Sequence, residues 1–367
     1  LTPFLQRFYK IAESDGVNFY FETKFLDLVF EERKIKGIIA EKEGNKIEIH
    51  SRLVVDASGT KGVIRTNLPE SYGVETFKLG PNDVMYVLLQ YIQWLKPEEP
   101  HPDHLNGFIY YLAWLGPSHL DDSVIIGIGQ PGSYENVEKV RNNFLERANL
   151  PPYKIVKSEK GFTPYRRPPY SIVGDGFLCI GDASVITYPF SGHGVTATWM
   201  LCLIAAEVID KAFQKEGYIT REKLWDINVQ YFREQGAKFA GLYMQLSGIL
   251  HFTEEEWTYL IKKGLIYRSK DGELPEPNKE YESEMSFGQM VKMALGLLGG
   301  VVKRKLSWKH VKKLIKANSL ADEIREHYEN FPANPKDFPE WAEKAEDLWD
   351  KKEMVKKEYP SVTVEYH

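Results

Sequence analysis

The amino-terminal residues of the chain carry apolar side chains at helical spacing. Phe4, Phe8, Ile11 and Ala12 fall on one face of a helix, and Gly16 follows where the helix can end. The spacing therefore predicts an amphipathic helix as the first element, with its polar positions facing water.

Apolar and polar residues then alternate. The alternation covers 18–22, 24–31, 34–42 and 46–50, and polar turns separate the last three runs. A period of two is typical of strands with one buried face, so the pattern predicts a β-meander. The continuous apolar run at 53–55 instead predicts a buried parallel strand.

The middle of the chain is rich in long, aromatic, β-prone runs. Three of them, 83–95, 107–116 and 123–129, predict a second sheet, which we expect to be antiparallel with a wide surface. A helical pattern follows over 134–150. The prolines of the segment 161–170 exclude a helix there and favour an extended chain.

Helices dominate the remaining pattern. The apolar run 176–180 predicts another buried strand, and a helix is expected from about residue 194 to 213. Beyond residue 220 the spacing is helical almost throughout, apart from a linker at 269–282.

Composition narrows the class of protein. Of the 367 residues, 43% are hydrophobic, which predicts a folded chain of about two domains. The net charge of −5 argues against nucleic acid as a partner. Cys179 and Cys202 lie in apolar runs and are typical of buried thiols, so we expect a cytoplasmic protein without a metal site. The longest apolar run, Val195–Ala206, is shorter than a bilayer span.

One stretch combines a carboxylate, a rigid turn and a glycine pair at a helix start. Asp182 follows a strand, where open α/β sheets bind ligands, and Gly181 lets a ligand approach the backbone. Pro189 fixes a turn, and Gly192 with Gly194 leaves bare N–H groups at the positive end of a helix. A ligand with hydroxyls and an electron-rich edge, such as a flavin, suits this arrangement. Glycines that serve only the packing of a strand, turn and helix would give the same spacing.

Several motifs resemble one family of flavoproteins. The stretch GFLCIGDASVITYPFSGHGV, residues 176–195, resembles the second FAD fingerprint of the p-hydroxybenzoate-hydroxylase-like flavoproteins, a Gly-Asp followed by Pro-x-x-Gly-x-Gly. GFTPYRRPPY ahead of it resembles the geranylgeranyl reductase branch, which carries a Pro-x-Arg-Arg-Pro segment there. RLVVDASG followed by Arg65 is similar to the family's strand and basic turn, and the helix that carries Arg7 is similar to one that reaches the FAD. The resemblance covers most of residues 1–245.

The resemblance implies an α/β (α+β) fold. A discontinuous Rossmann-like FAD-binding domain would carry an inserted antiparallel β-sheet for the substrate and a C-terminal helical region. The expected divisions are the remainder of the FAD-binding domain at 1–65, the substrate sheet at 66–160, the returning FAD-binding domain at 161–245 and the helices at 246–367. The family begins with a strand–Gly-x-Gly-x-x-Gly–helix unit for the FAD pyrophosphate, whereas this sequence opens at the later helix that carries the arginine. We expect a shortened sequence record rather than a decayed paralogue, because residues that only make sense beside FAD remain.

The resemblance also assigns site residues. The expected FAD contacts are Arg7, Ser58, Gly59, Arg65, Gly181, Asp182, Pro189, Gly192, Gly194 and Val195. The expected substrate contacts are Tyr110, Tyr111, Trp114 and Arg166. The candidate proton donors are His193, Tyr165 and Tyr188. Aromatic residues at strand spacing are more often core than pocket, and an exposed turn histidine or a solvated arginine pair would account for the polar candidates.

The implied reaction is saturation of double bonds in polyprenyl (geranylgeranyl) chains of membrane ether lipids or a related isoprenoid. Reduced flavin delivers a hydride to one alkene carbon and a proton adds to the other. An external donor, NAD(P)H or ferredoxin, would reduce the flavin. Two alternatives stay open: a flavin-dependent aromatic monooxygenase or halogenase, although the Trp-x-Trp-x-Ile segment of halogenases is absent, and a non-catalytic lipid-binding remnant.

A basic segment follows the last apolar run. It has seven lysines and arginines and no acidic residue between Lys303 and Lys316, with Trp308 and Leu314 among them. A basic amphipathic helix can lie on an anionic membrane, which predicts a peripheral membrane contact. A solvated helix paired with the acidic residues that follow would show the same pattern.

Overall fold

A computed structural model describes residues 2–32, 34–96, 109–110, 113–118, 123–190, 192–265 and 287–353. The strands are β1 Thr23–Glu31, β2 Lys34–Lys42, β3 Asn45–His50, β4 Val54–Asp56, β5 Val84–Trp94, β6 Ile109–Tyr110, β7 Ala113–Pro117, β8 Ser123–Pro131, β9 Tyr153–Pro164, β10 Val173–Gly174 and β11 Phe177–Cys179. The helices are α1 Thr2–Ser14, α2 Tyr134–Ala148, α3 Gly194–Phe213, α4 Arg221–Tyr231, α5 Ala237–Ile249, α6 Glu254–Lys262, α7 Phe287–Val302, α8 Trp308–Glu329 and α9 Phe338–Glu353. The predicted linker at 269–282 lies outside the described residues.

The predicted meander is confirmed as the antiparallel sheet β1-β2-β3. The strand predicted at 18–22 is wrong, because its aromatic side chains pack on the first helix instead of entering the sheet. The ring centroid of Tyr9 lies 4.6 Å from that of Phe19 and 5.6 Å from that of Phe21. Aromatic rings at this distance pack favourably on one another, so these side chains gain contacts although their backbone does not pair as a strand.

Two short strands form the parallel part of the structure. β11 pairs with β4 in parallel and with β10 antiparallel, in the order β10-β11-β4. Val54 and Asp56 are buried, whereas Val55 is 41% exposed. The predicted parallel strand is therefore confirmed in direction and only partly in burial. Its pairing sets the carboxyl ends of β4 and β11 side by side.

The predicted antiparallel sheet is confirmed with five strands in the order β6-β7-β8-β5-β9. Strand β9 was not predicted, because its residues are mostly exposed and polar and an edge strand lacks the regular alternation of a half-buried one. Helix α2 packs on this sheet through Val137, Val140 and Phe144. The sheet and this helix share one hydrophobic cluster.

The carboxyl-terminal half is helical, as predicted. A π-helical turn, Phe232–Gly236, joins α4 to α5, and α5 packs along α8. The break between α7 and α8 at 303–307 was not predicted, because the basic residues there are good helix formers. Within the described ranges, no helix combines the length and the apolar character that a membrane span requires.

Two glycines of β8 give a matched test of packing in the large sheet. The indole of Trp114 lies across Gly127, so a Cβ added there would sit 2.2 Å from its Cε2 atom, whereas a Cβ at Gly129 would meet nothing within 4 Å. We expect Gly127→Ala to lower the free energy of unfolding by about 1–3 kcal/mol through overpacking. Gly129→Ala should change it little.

Urea denaturation of both variants, followed by tryptophan fluorescence and circular dichroism, measures the difference. Equal stabilities of the two variants would contradict the placement of Trp114 over Gly127.

Candidate functional site

The carboxyl ends of β4 and β11 meet around one buried carboxylate. Asp56 ends β4 and is fully buried. Its Oδ1 accepts hydrogen bonds from Ser58 N at 3.0 Å and Ser58 Oγ at 2.6 Å, and its Oδ2 accepts from Ile64 N at 3.1 Å and Arg65 N at 2.7 Å. Its main-chain oxygen accepts from Ile180 N at 2.9 Å. Asp56 thus folds the turn after β4 and holds it against the segment after β11.

Arg65 connects that turn to the second one. Its guanidinium is 1% exposed and donates through Nε to Ala183 O at 2.6 Å and through Nη1 to Glu75 O at 2.7 Å. It also lies over the ring of Phe77 at 4.6 Å. Desolvation by burial lowers the pKa of Arg65, and the carboxylates of Asp56 and Glu75 oppose that effect. Arg65 positions the turn, and its predicted contact with a cofactor stays a prediction.

The second turn carries the predicted Gly-Asp pair. Gly181 opens a 3-10 turn, Gly181–Ser184, with φ +61°, a conformation that favours glycine. The Oδ1 atom of Asp182 accepts a hydrogen bond from Thr187 Oγ1 at 2.9 Å. Burial raises the pKa of Asp182, and the hydrogen bond from Thr187 opposes the rise. The Asp182 carboxylate is therefore partly withdrawn from water and oriented.

Helix α3 begins directly against this carboxylate. A Cβ on Gly194 would sit 3.2 Å from Asp182 Oδ1, so glycine is the residue that allows this approach. His193 is the N-cap residue, but its side chain makes no capping hydrogen bond. Gly192 and Val195 are exposed. The positive end of the 20-residue helix α3 is therefore exposed to solvent.

The remaining predicted FAD contacts lie on the elements around this helix start. Arg7 is exposed on α1, and α1 packs on α3 because the rings of Phe4 and Phe8 lie 5.4 Å and 6.1 Å from that of Trp199. Pro189 is in the turn before α3. Gly59 follows Ser58 in the turn after β4. The Ser58 hydroxyl also accepts from Val63 N at 2.8 Å, so it serves the fold of that turn.

The three candidate proton donors lie in different surroundings. Tyr165 is buried, its ring packs against that of Tyr243 at 4.8 Å, and its main-chain oxygen accepts from the Tyr243 hydroxyl. Tyr188 packs edge-on against Phe239 at 5.5 Å. His193 is exposed at the start of α3. The structure therefore places His193 and Tyr188 at the helix start and Tyr165 within the core.

The arginine pair borders a cavity of about 390 Å³ that Phe77 and Glu346 also line. Arg166 lies 3.8 Å above the ring of Phe77, and its Nη1 is 3.5 Å from Asp83 Oδ2. Arg167 is only 8% exposed, so the interpretation of the two arginines as a solvated pair is wrong for Arg167. Arg166 keeps a long, weak ion pair and faces the cavity, which suits contact with an anion.

Arg167 is held by carboxylates. It donates two hydrogen bonds of 2.8 Å to Glu75 and one of 3.1 Å to Glu346 on α9. The hydroxyl of Tyr170 donates to the same Glu346 oxygen at 2.5 Å. Burial and the Arg167 charge act in opposite directions on Tyr170, and burial dominates, so the pKa of Tyr170 is raised.

The predicted substrate contacts on the sheet are only partly placed. Trp114 packs over Gly127 and is half-buried. Tyr110 belongs to β6, but its side chain is outside the described set, and Tyr111 lies outside the described residues. The contact of these three residues with substrate stays a prediction.

Three residues of the site were missed by the sequence analysis: Asp56, Glu75 and Thr187. A signal existed for Asp56, because an acidic residue at the carboxyl end of a parallel strand is a ligand-site or turn residue in open sheets. No signal in the sequence pointed to Glu75, because its role is to accept hydrogen bonds from Arg65 and Arg167. Thr187 lies in a loop, where no periodic pattern of apolar residues could single it out.

Comparison with known proteins supports the relationship. No family model matches the chain. The chain is 24% identical over 360 residues to digeranylgeranylglycerophospholipid reductase of Sulfolobus acidocaldarius, covering 94% of this chain and 75% of the relative. It is 26% identical over 234 residues to the protein of that name from Methanothrix thermoacetophila, covering 58% of this chain and 56% of the relative. The chain is a homologue of these reductases. The resemblance to the geranylgeranyl reductases is therefore confirmed.

Solved structures show the same fold. The geranylgeranyl bacteriochlorophyll reductase-like protein of Thermoplasma acidophilum matches with a TM-score of 0.51 and 13% identity, over 96% of this chain and 74% of that one. The myxobacterial chondrochloren halogenase, described as a variant of FAD-dependent halogenases, matches with a TM-score of 0.50 and 18% identity, over 88% of this chain and 73% of that one. The predicted fold class is confirmed. The chain spans about half the length of several curated relatives, 56% and 49% in two cases.

The burial of Asp182 predicts a pH dependence of stability. Its folded-state pKa is raised, so the folded chain holds this proton to a higher pH than the unfolded chain, whose value is about 3.9. The free energy of unfolding therefore falls as the pH rises from the pKa of Asp182 in the unfolded chain to its higher pKa in the folded chain. Asp182→Asn removes this loss while the amide oxygen can still accept from Thr187. The variant should therefore gain stability relative to the unsubstituted chain as pH rises through that window, and keep the gain above it.

Urea denaturation across a pH series measures the gain. Glu207→Gln, an exposed acid on α3, is the control and should give a flat difference. A flat difference for Asp182→Asn as well would show that the carboxylate is not destabilised by burial.

Proposed function

We propose that this chain is an FAD-dependent reductase that saturates isolated double bonds of geranylgeranyl chains in membrane lipids. The observation that carries the proposal is the start of α3, where a bare helix N-terminus meets the oriented, partly desolvated Asp182 carboxylate beside two parallel strand ends. The names of the homologous archaeal reductases support the same reaction class.

The residues at the start of α3 fit the polyol and the electron-rich edge of a flavin. Asp182 would accept hydrogen bonds from ribityl hydroxyls, and the first N–H groups of α3 would stabilise a negatively charged oxygen or nitrogen. Gly194 leaves room because a Cβ there would press on Asp182. Once bound and reduced, FAD would supply the hydride. Arg7, on the neighbouring α1, would reach the cofactor from the other side.

The proposal keeps the predicted division of the chain at 1–65, 66–160, 161–245 and 246–367. Two hydrophobic clusters support it. One contains the large sheet with α2 and supports the division at 66–160, whereas another joins the short parallel strands to α3, α4 and α5 and also to α8 and α9. The substrate domain would then be the large sheet, whose long apolar strands offer walls for a prenyl chain.

His193 is the proposed proton source, with Tyr188 as the neighbouring alternative. Both lie beside the helix start where the flavin is proposed, whereas the buried ring of Tyr165 packs on Tyr243. A proton donor must reach the alkene carbon, so a position beside the cofactor is required of it. The electron donor is proposed to be NAD(P)H or ferredoxin, and a peripheral membrane contact of a cytoplasmic enzyme completes the proposal.

Retention of FAD and reduction of lipid test the proposal together. The purified chain incubated with FAD should keep both flavin absorption bands through gel filtration, and dithionite should bleach them. The reduced protein should then convert a digeranylgeranyl phospholipid to products that have gained a pair of hydrogen atoms per saturated bond, detected by mass spectrometry.

Asp182→Ala should retain FAD at least about tenfold more weakly, since it removes a charge-assisted hydrogen bond and leaves polar groups unpaired. Glu207→Gln is the matched control on α3. A chain that never retains FAD, or that loses none of its affinity in Asp182→Ala, would contradict the proposal.

Halogenation is the second candidate, because an FAD-dependent halogenase shares the fold. The two reactions differ in what the reduced protein consumes. A reductase saturates the lipid without oxygen, whereas a halogenase needs oxygen and halide and attaches halogen to an aromatic substrate. Lipid saturation under anaerobic conditions with no halide present therefore favours the reductase.

Arg166 is the proposed contact for the phosphate of a lipid substrate, because it faces the cavity and its ion pair with Asp83 is long, at 3.5 Å. We expect Arg166→Ala to raise KM for a phosphorylated prenyl lipid by about tenfold, the loss of one charged hydrogen bond, with kcat little changed. KM for the corresponding prenyl alcohol should stay the same, and Arg166→Lys should recover part of the effect. An equal rise of KM for both substrates would contradict a phosphate contact.

A further inference from the structure

Helix α7 buries Leu297 and Gly300 on its inner face and exposes four large apolar residues on its outer face. Val291, Leu295, Leu298 and Val302 are 41%, 64%, 50% and 81% exposed. Their spacing of four, three and four residues places them on one stripe of the helix. A helix that faces water normally shows polar side chains there, so this stripe needs an explanation.

The inner face of α7 is built for close packing. A Cβ on Gly296 would sit 2.7 Å from Leu265 Cδ2, and one on Gly300 would sit 2.6 Å from Leu306 Cδ1. The hydroxyl of Tyr259 donates to Gly296 O at 3.0 Å. These contacts fix the rotation of α7 on the helical core. The exposed stripe is therefore a consequence of the fold and cannot turn inward.

Helix α8 continues the same character with charge added. It buries Val311 and Leu314 in the cluster that holds α7, while Trp308 and Ile315 are 46% and 53% exposed. Lys312 lies between them on the outer face, with Nζ 5.5 Å from the centroid of the Trp308 ring.

The exposed charge along this part of the chain has one sign, although the buried Glu256 of α6 lies 2.7 Å from His310 at the start of α8. No acidic residue occurs from 285 to 321, whereas that span contains eight lysines and arginines in a chain whose net charge is −5. Lys303, Arg304 and Lys305, in the corner between the helices, are all exposed. The acidic residue Glu323 that follows pairs with Lys351 of α9, at 3.6 Å. Glu323 thus contributes to the packing of α9 on α8.

We propose that the outer faces of α7 and α8 form a docking surface for an anionic lipid membrane. Aliphatic side chains and an indole would enter the boundary between headgroups and acyl chains, and the basic corner would meet the lipid phosphates. A nucleic acid would use the charges but gain nothing from the apolar stripe. The purpose of this contact rests on the proposed function, since it would bring the enzyme to its lipid.

Flotation of the full chain with vesicles tests the surface. The chain should float with vesicles of phosphatidylcholine and phosphatidylglycerol and bind pure phosphatidylcholine vesicles far more weakly. High salt should weaken the binding, because it screens the attraction. Equal binding to both vesicle types, or none to the anionic ones, would overturn the proposal.

Two sets of substitutions separate the charge from the apolar stripe. Lys305→Gln/Lys309→Gln/Lys312→Gln should weaken binding to anionic vesicles by about a hundredfold, at about one factor of five per charge. Its matched control replaces three exposed lysines elsewhere, Lys46→Gln/Lys78→Gln/Lys139→Gln, and should bind as the unsubstituted chain does.

Leu295→Ser/Val302→Ser should also weaken binding, by about tenfold, since two exposed aliphatic side chains no longer enter the lipid. Its control is Leu203→Ser, a 68% exposed leucine on α3. Each variant should keep the circular dichroism spectrum of the unsubstituted chain. Loss of binding in Leu203→Ser but not in Leu295→Ser/Val302→Ser would move the membrane contact to α3 and overturn the proposal.

Vesicle binding requires no turnover, so the two proposals fail separately. A chain that floats with anionic vesicles but retains no FAD keeps the docking surface and loses the reductase. A chain that saturates lipid in detergent but does not float keeps the reductase and loses the surface. Binding of the lysine variant to a short DNA duplex is measured as well. If that binding is lost and the serine variant still binds vesicles normally, the patch is a general polyanion site and the membrane proposal is wrong.

Discussion

The buried carboxylate of Asp56 is the interaction on which the candidate site depends. A carboxylate withdrawn from water is costly unless hydrogen bonds replace its hydration. Asp56 accepts four from the turn that follows it, including the N–H groups of Ile64 and Arg65. That turn in turn aims the Arg65 guanidinium at Ala183 O, in the Gly-Asp turn. The position of Asp182 before α3 is thus set from a strand more than a hundred residues earlier in the chain.

A second set of charges ties the carboxyl-terminal helices to the same place. Glu75 offers its main-chain oxygen to Arg65 and its carboxylate to Arg167, and Arg167 also reaches Glu346 on α9. Arg167 is buried, so loss of the Glu75 carboxylate would leave its charge without its two shortest hydrogen bonds. The helix α9 is therefore joined to Arg167 electrostatically, and through Glu346 it also lines the cavity beside Arg166.

Periodicity predicted most elements, and failed where a residue's partner is distant. The meander and α3 follow from local spacing, and the Gly-Asp turn from a motif. The strand at 18–22 was wrong because Tyr9, on another element, offers its aromatic residues a contact. The buried role of Arg167 was missed because Glu75 and Glu346 are distant in sequence. Local pattern records which face of an element is apolar, but not what lies against it, and Arg65 and Arg167 bind partners that are distant in sequence.

Exposed apolar side chains alone do not identify a partner. Leu203 and Trp199 are as exposed on α3 as the residues of α7, but the charges near them have both signs, with Arg7 on α1 and Glu207 on α3. From 285 to 321, which covers α7 and the first half of α8, the charge along the chain has one sign, and it acts over about 8 Å, before apolar groups touch anything. The order matters for a lipid substrate. Bringing a long prenyl chain into water costs about 0.8 kcal/mol per CH₂, so an enzyme must meet such a chain at the membrane. Helices α7 and α8 can provide electrostatic attraction to a membrane first and apolar contact with it second.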